Sequence, residues 1–291
     1  MPSNRNLTIL PVSALLLGAT LWGVLWYPLR LLEEQGLSGL WLTLIVNAVA
    51  CLVGLPWLWQ RCAELKRHPW LLLVLALATG LCNTTFVLAV IDGNVVRVLL
   101  LFYLSPLWVS LLGWAVLGER VSARASGLLA VAMAGALIML WDGAAGVFWP
   151  HGRVDILALL SGFTFALSNV LIRKLQRISV PVKTISSWAG GVLVAALWLL
   201  FSAQPLPQVS SIALIYAIAL GACGITVMTL AVQYGVTRMP VQRSAVILLF
   251  ELVVGAVSAA WLAGETVQTH EWLGGALIVL AGYLSVRGAP K

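Results

Sequence analysis

The sequence carries very little charge. Only 9% of its 291 residues are Asp, Glu, Lys or Arg, whereas about 25% is usual in soluble domains. Because charged side chains cover the surface of a water-soluble protein, this scarcity argues against a soluble enzyme, a nucleic-acid-binding protein and a disordered chain. The composition predicts an all-α integral membrane protein.

Metal-binding and disulfide patterns are also lacking. The chain has three histidines and four cysteines, and they form no CxxC pair and no metal-ligand motif. No phosphate-binding glycine loop and no Ser/His pair stands out. We therefore expect no catalytic residues, no enzymatic activity, no cofactor and no metal site, and no ATP-driven pumping by this chain.

Long apolar runs are what the sequence has in abundance. A helix needs about 20 apolar residues to cross a hydrocarbon core about 30 Å thick. The apolar runs, one of them interrupted by Glu251, lie at Leu7–Leu29, Leu37–Gln60, Pro69–Ile91, Val98–Gly118, Ala125–Trp141, Ile156–Ile172, Thr184–Thr237, Ser244–Gly264 and Trp272–Val286. The run Thr184–Thr237 is too long for one helix, and two prolines within Gln204–Gln208 divide it. The pattern predicts ten transmembrane helices.

The 17 Lys and Arg residues are distributed unevenly over the ends of these spans. With ten spans, the N-terminus and every second loop hold 14 of them, and the other side holds 3, namely Arg30, Arg97 and Arg153. Because cytoplasmic loops are enriched in Lys and Arg, both termini are predicted to be cytoplasmic, in the inner (plasma) membrane of a bacterial cell. The net charge of +7 then reflects topology, so the expected partner is the lipid bilayer and not a nucleic acid.

An internal repeat divides the chain into two halves. The segment Arg97–Pro106, followed by Leu117–Glu119, recurs as Arg243–Glu251, followed by Ala263–Glu265, at a constant offset of 146 residues. Each half holds five predicted spans, and because five is odd, the second half is expected to have the inverted orientation. We predict one repeat at residues 1–141, a linker at 142–152 and a second repeat at 153–291, with a central cavity between the repeats.

The two five-helix halves, each with a helix that ends in Gly-Glu, resemble the EamA-type branch of the drug/metabolite transporter superfamily. The segments Tyr103–Pro106 and Phe165–Lys174 are most similar to those of the YddG-type amino-acid exporters. The resemblance implies two inverted five-helix bundles with the fifth and tenth helices at the periphery. It also implies export of amino acids. We expect a monomer or a homodimer.

Glu251 is the most specific candidate for a functional residue. It lies in the middle of a predicted span, where an ionised carboxylate costs about 2.5–3.5 kcal/mol on insertion scales. Ser244 and Ser258 share its helix face at seven-residue spacing. Glu251 either contacts substrate or carries a proton in a cavity, or it is a protonated side chain bonded to a neighbouring helix. We predict the cavity role.

Other polar and aromatic side chains extend this predicted cavity over several helices. Each polar one, taken alone, is better explained by a bond between helices, worth about 0.6 kcal/mol, but together they favour an internal cavity. With Glu251, the predicted lining residues are Trp22, Asn83, Thr84, Phe102, Tyr103, Ser105, Phe165 and Asn169. Pro106 is the predicted hinge, because a proline frees a backbone carbonyl one turn earlier and kinks the helix.

Three classes of function compete, namely a transporter, a membrane enzyme and a scaffold. The repeat and the mid-span carboxylate favour a transporter that works by alternating access. We predict a secondary exporter of small amphiphilic metabolites. The resemblance implies amino acids, and those with aromatic or other bulky apolar side chains are favoured if Tyr103, Trp22 and Phe165 line the pocket. The alternative is an exporter of organic cations or drugs that uses Glu251 as the counter-charge.

Overall fold

A computed structural model describes residues 6–92, 95–119, 122–141, 152–202, 204–264 and 267–287. Throughout these ranges the chain is helical, with short connections. The helices are α1 (Asn6–Val24), α2 (Trp26–Glu34), α3 (Gly39–Trp59), α4 (Pro69–Asp92), α5 (Val95–Phe102), α6 (Ser105–Leu117), α7 (Ala123–Met139), α8 (Arg153–Lys174), α9 (Val180–Ser202), α10 (Ser211–Ala219), α11 (Thr226–Arg238), α12 (Val241–Leu248), α13 (Phe250–Leu262) and α14 (Thr269–Arg287). A 3₁₀ turn at Cys62–Lys66 precedes α4, and a π-helical turn at Leu220–Ile225 joins α10 to α11.

Among the described residues, seven helical segments are long and apolar enough to cross a bilayer. They are Ile9–Glu34, Gly39–Trp59, Pro69–Val90, Arg153–Lys174, Val180–Ser202, Ser211–Arg238 and Val241–Leu262. Two further apolar helices, α6 and α7, are shorter. Large apolar side chains such as Trp261 and Leu200 are exposed on the outside of the bundle, which costs nothing where hydrocarbon is the solvent. The chain is an all-helical, multi-pass membrane protein.

Two spans are broken at equivalent positions of the internal repeat. In the first half α5 ends at Phe102 and α6 begins at Ser105, directly before Pro106, whose missing N–H leaves the Phe102 carbonyl without its helical donor. In the second half the break lies at Leu249, between α12 and α13, without any proline. The face that Ser244, Glu251 and Ser258 were expected to share on one continuous helix is therefore divided between two helices, because Ser244 belongs to α12 and Glu251 to α13.

The two halves are held together by α4, which packs against both α8 and α9. Gly80 of α4 and Gly190 of α9 allow the two backbones to touch, since a Cβ atom on Gly190 would lie 1.8 Å from the carbonyl oxygen of Ala76. Elsewhere α3 packs on α9, and α1 packs on α11 and α13. Residues from both halves therefore meet in the middle of the bundle.

The helices α7 and α14 pack on each other through Gly135 and Gly274. A Cβ atom on Gly135 would lie 2.7 Å from the carbonyl oxygen of Gly274. Gly127, which is also on α7, has nothing within 4 Å of its Cβ position and takes no part in this contact. Small residues matter here only where two backbones approach each other.

We expect Gly190→Ala to lower the free energy of unfolding by about 1–3 kcal/mol, because the added methyl group meets the backbone of α4 and not a movable side chain. The matched control is Gly127→Ala, which has open space and should leave stability unchanged or raise it by up to about 1 kcal/mol. Thermal unfolding of the purified protein in detergent measures both. Equal melting temperatures for the two variants would contradict the close α4–α9 contact.

Candidate functional site

Glu251 and Tyr103 meet where the two broken spans face each other. The Tyr103 hydroxyl donates a hydrogen bond to Oε1 of Glu251 over 3.2 Å. Tyr103 occupies the turn between α5 and α6, and Glu251 lies in the first turn of α13. Tyr103 is buried and Glu251 partly buried. The bond thus joins the first half of the chain to the second at the mid-span carboxylate.

Aromatic rings cover this pair on one side. The ring centre of Phe102 lies 5.2 Å from that of Tyr103 and 5.4 Å from that of Phe165. The small cavity between these side chains is lined by Phe102, Tyr103, Ser105, Pro106, Val109, Phe165, Ala245, Leu248, Leu249 and Glu251. Its volume is about 20 Å³, which accommodates one water molecule. In this conformation the cavity is closed to any larger solute.

Six of the residues predicted from the sequence line this cavity, namely Glu251, Tyr103, Ser105, Phe102, Phe165 and Pro106. The other four do not line it. Trp22 packs with the apolar cluster around Leu42 and Trp188, Thr84 is fully buried on α4, and Asn83 is partly buried beside it. Asn169 lies one turn beyond Phe165, and its amide donates to the Phe165 carbonyl over 2.9 Å.

Lys183 is an important residue that sequence reasoning counted only as a cytoplasmic charge. It lies in the first turn of α9 and its side chain is fully buried. Its ammonium group donates to the Ile172 carbonyl over 3.2 Å and to the Thr237 hydroxyl. These acceptors lie near the carboxyl ends of α8 and α11, where the helix dipoles favour a positive charge. Lys183 therefore links three helices.

A second set of charged contacts lies at the same end of the bundle. Glu119 accepts hydrogen bonds from Arg173 Nε over 3.2 Å and from the Val241 backbone N–H over 3.1 Å. Arg173 also donates to the Thr237 carbonyl over 2.9 Å. We call Glu119, Arg173, Lys183 and Thr237 the Arg173 cluster. Through these contacts Glu119, which follows α6, is connected to α8, α9, α11 and α12.

One ion pair joins the halves at the other end. Arg97 of α5 binds Asp155 of α8 through two hydrogen bonds, Nε to Oδ1 over 2.9 Å and a terminal nitrogen to Oδ2 over 2.7 Å. The Asp155 side chain is only 4% exposed. Such a two-pronged contact is among the strongest charge-assisted hydrogen bonds. The sequence held a clue to it, because Arg97 and Asp155 both lie near the predicted non-cytoplasmic ends of spans.

Glu265, which corresponds to Glu119 in the repeat, and residues 142–151 of the predicted linker lie outside the described residues. Gly118 and Gly264 both have a φ of +68°, the left-handed conformation that ends a helix. Within the described ranges, no three side chains of His, Cys, Asp or Glu converge on a point where a metal ion could bind.

Both halves of the chain match the same protein family. Residues 9–141 and residues 152–287 each match the EamA-like transporter family. An uncharacterized transporter of Archaeoglobus fulgidus is 28% identical over 275 residues, which cover 94% of each chain. Protein RarD of Salmonella typhi is 31% identical over 145 residues, or 49% of this chain and 44% of RarD. An uncharacterized transporter of Pseudomonas aeruginosa is 31% identical over 150 residues, or 50% of this chain and 46% of that protein.

The fold is similar to that of a solved crystal structure. It superposes with a TM-score of 0.76 at 18% sequence identity and covers 96% of this chain and 97% of its own. At this identity the likeness concerns the arrangement of the helices alone.

We expect Lys183→Met to lower the free energy of unfolding by about 1–3 kcal/mol, because methionine keeps the length of the side chain but leaves buried acceptors without a donor. Lys174→Met is the matched control, since Lys174 is exposed at the end of α8. Thermal unfolding in detergent distinguishes them. An unchanged or higher melting temperature for Lys183→Met would mean that the free-energy cost of burying the ammonium group equals or exceeds the stabilisation from its hydrogen bonds.

Proposed function

Since this chain belongs to the EamA-like transporter family, we propose that it is a secondary transporter that exports small amphiphilic metabolites, and above all amino acids with aromatic or other bulky apolar side chains. The observation that carries this proposal is the Glu251–Tyr103 pair within an aromatic cavity between the two halves. The carboxylate is suited to a substrate ammonium group, and the rings of Phe102 and Phe165 are suited to an apolar side chain. An amino-acid substrate also agrees with the resemblance to the YddG-type exporters.

The proposed architecture has ten spans in two inverted five-helix repeats. The broken pairs α1–α2, α5–α6, α10–α11 and α12–α13 each count as one span. The single helices α3, α4, α7, α8, α9 and α14 complete the ten. The equivalent breaks at Tyr103–Leu104 and Leu249 support the repeat. In this arrangement both termini and the Arg173 cluster are cytoplasmic, in the inner membrane of a bacterial cell. Alternating access then requires the Arg173 cluster to separate when the cytoplasmic side opens.

Export of organic cations is the second candidate, and one observation favours it. The residues that line the Glu251 cavity include a carboxylate but no Lys or Arg. A zwitterion therefore finds a partner for its ammonium group there, and its carboxylate must be bound by hydroxyl or backbone groups. A cation needs no second partner.

Flux into liposomes that contain the purified protein separates these candidates. We expect saturable transport of tritiated L-phenylalanine. Saturable transport of tetraphenylphosphonium without L-phenylalanine flux would assign the protein to organic cations. No saturable flux of either compound would contradict both proposals.

We expect Glu251→Gln to abolish the pH dependence of net L-phenylalanine flux and to leave exchange of labelled for unlabelled substrate intact. The glutamine cannot take up or release a proton, but its oxygen can still accept the Tyr103 hydrogen bond. Net flux and exchange are measured at two pH values. Exposed Glu33, changed to Gln, is the matched control. Wild-type behaviour of Glu251→Gln in both assays would show that Glu251 only contributes to helix packing.

A further inference from the structure

A second and larger cavity lies apart from the Glu251 cavity, at the end of the bundle where α2 meets the end of α13. Its volume is about 330 Å³, at the lower end of the range of about 300–1,000 Å³ found for small-molecule sites. Its lining residues are Trp26, Tyr27, Arg30, Leu31, Glu34, Leu262 and Ala263. We call this cavity the vestibule. Five of its seven lining residues come from α2.

The vestibule depends on a break in the first span. Pro28 has no N–H, so the Val24 carbonyl loses its helical donor, and α1 ends at Val24. Leu25 closes a turn by donating from its backbone N–H to the Trp22 carbonyl over 3.2 Å. The helix then restarts as α2, and four-residue spacing puts Trp26, Arg30 and Glu34 on one of its faces. The proline thus explains why this face is presented to the vestibule.

The chemistry of the vestibule combines both charges with aromatic rings. Arg30 Nε lies 3.3 Å from Glu34 Oε1, and both side chains are 61% exposed. Trp26 and Tyr27 stand edge to face with ring centres 5.5 Å apart. A guanidinium binds a carboxylate, while a carboxylate and a ring face attract an ammonium group. An exposed ion pair gains little from its own contact, so a ligand that carries both charges replaces it at low cost.

A hydrogen-bonded indole links the vestibule to α13, the helix that carries Glu251. Trp26 Nε1 donates to the Ser258 hydroxyl over 2.9 Å, and that hydroxyl lies 3.3 Å from the Gly23 carbonyl oxygen. Gly23 packs directly on the backbone of Glu251, since a Cβ atom there would lie 2.7 Å from the Glu251 carbonyl oxygen. Ser258 lies seven residues, or two helical turns, after Glu251 on α13. The vestibule therefore lies two turns from the mid-span carboxylate.

We propose that the vestibule is a second ligand site, which binds zwitterionic amino acids with bulky apolar side chains outside the Glu251 cavity. Arg30 binds the ligand carboxylate, Glu34 binds its ammonium group, and Trp26 and Tyr27 contact its side chain. The identity of the ligand as the transported substrate rests on the proposed function, whereas the charge pattern of the site does not.

The test is binding of tritiated L-tryptophan to the purified full-length protein in lipid nanodiscs. It is measured in the Glu251→Gln background, where the Glu251 cavity has lost its charge and the Arg30–Glu34 pair of the vestibule is kept. Tryptamine, which lacks the carboxylate, and indole-3-propionate, which lacks the ammonium group, are the competitors. We expect both to compete less well than unlabelled L-tryptophan before the vestibule is altered.

Adding Arg30→Gln should raise the Kd for L-tryptophan roughly fivefold, as expected for the loss of one exposed charge contact, and leave that for tryptamine unchanged. Adding Glu34→Gln should raise the Kd for L-tryptophan to a similar extent and leave the Kd for indole-3-propionate unchanged. Arg67→Gln and Glu33→Gln alter exposed charges outside the vestibule and are the controls.

Two results would overturn the vestibule site. One is no L-tryptophan binding in the Glu251→Gln background, and the other is the same Kd for Arg30→Gln and Arg67→Gln. Liposome flux separates this from the proposed function. Charge-selective binding without amino-acid flux would support the vestibule site and refute amino-acid export. Amino-acid flux that is insensitive to Arg30 and Glu34, without selective binding, would support amino-acid export and refute the vestibule site.

Discussion

The close approach of α4 to α9 is the contact on which the arrangement of the two halves depends. Without side chains at Gly80 and Gly190, the two backbones touch, and α4 is held between α8 and α9. This fixes α8 against α5, where the absence of a side chain on Gly162 leaves room for the Phe102 carbonyl. Phe165, one turn along α8, is thereby placed beside Phe102 and Tyr103. The aromatic wall of the Glu251 cavity is thus a consequence of backbone packing.

The polar groups inside the bundle follow from the solvent. In hydrocarbon an unpaired polar group is costly, so breaks in helices and buried charges are tolerated only where other groups compensate for them. Glu251 has the Tyr103 hydroxyl, Lys183 has acceptors near two helix ends, and Arg97 has Asp155. Each of these contacts joins different helices, and two of them join the two halves of the chain. The positions that carry charge are therefore also the positions that set how the halves fit together.

The sequence was sufficient for the class of protein, the apolar segments and the core of the site, and insufficient for the orientation of its helices. Glu251 and Tyr103 were identified because a mid-span carboxylate is costly and because the repeat aligned their helices. Asn83 and Thr84 do not line the described Glu251 cavity. The sequence alone does not show this, because each residue turns a helix by about 100° and scattered polar residues do not fix the rotation of a span. Lys183 was missed, because a count of positive charges near span ends does not separate a buried lysine from a solvated one.

Both ends of the bundle are closed by charge-assisted contacts, the Arg173 cluster at one end and the Arg97–Asp155 ion pair at the other. At the Arg173 cluster, charge-assisted hydrogen bonds join five helices, and each such bond contributes about 1.5–3 kcal/mol. Beside the vestibule, the Trp26 indole also donates a hydrogen bond to Ser258, a neutral contact worth about 0.5–1.5 kcal/mol. Separating the indole from Ser258 thus requires less free energy than separating the Arg173 cluster. The indole contact can therefore break while both charged contacts stay formed, so a rearrangement at the vestibule does not require either end of the bundle to open.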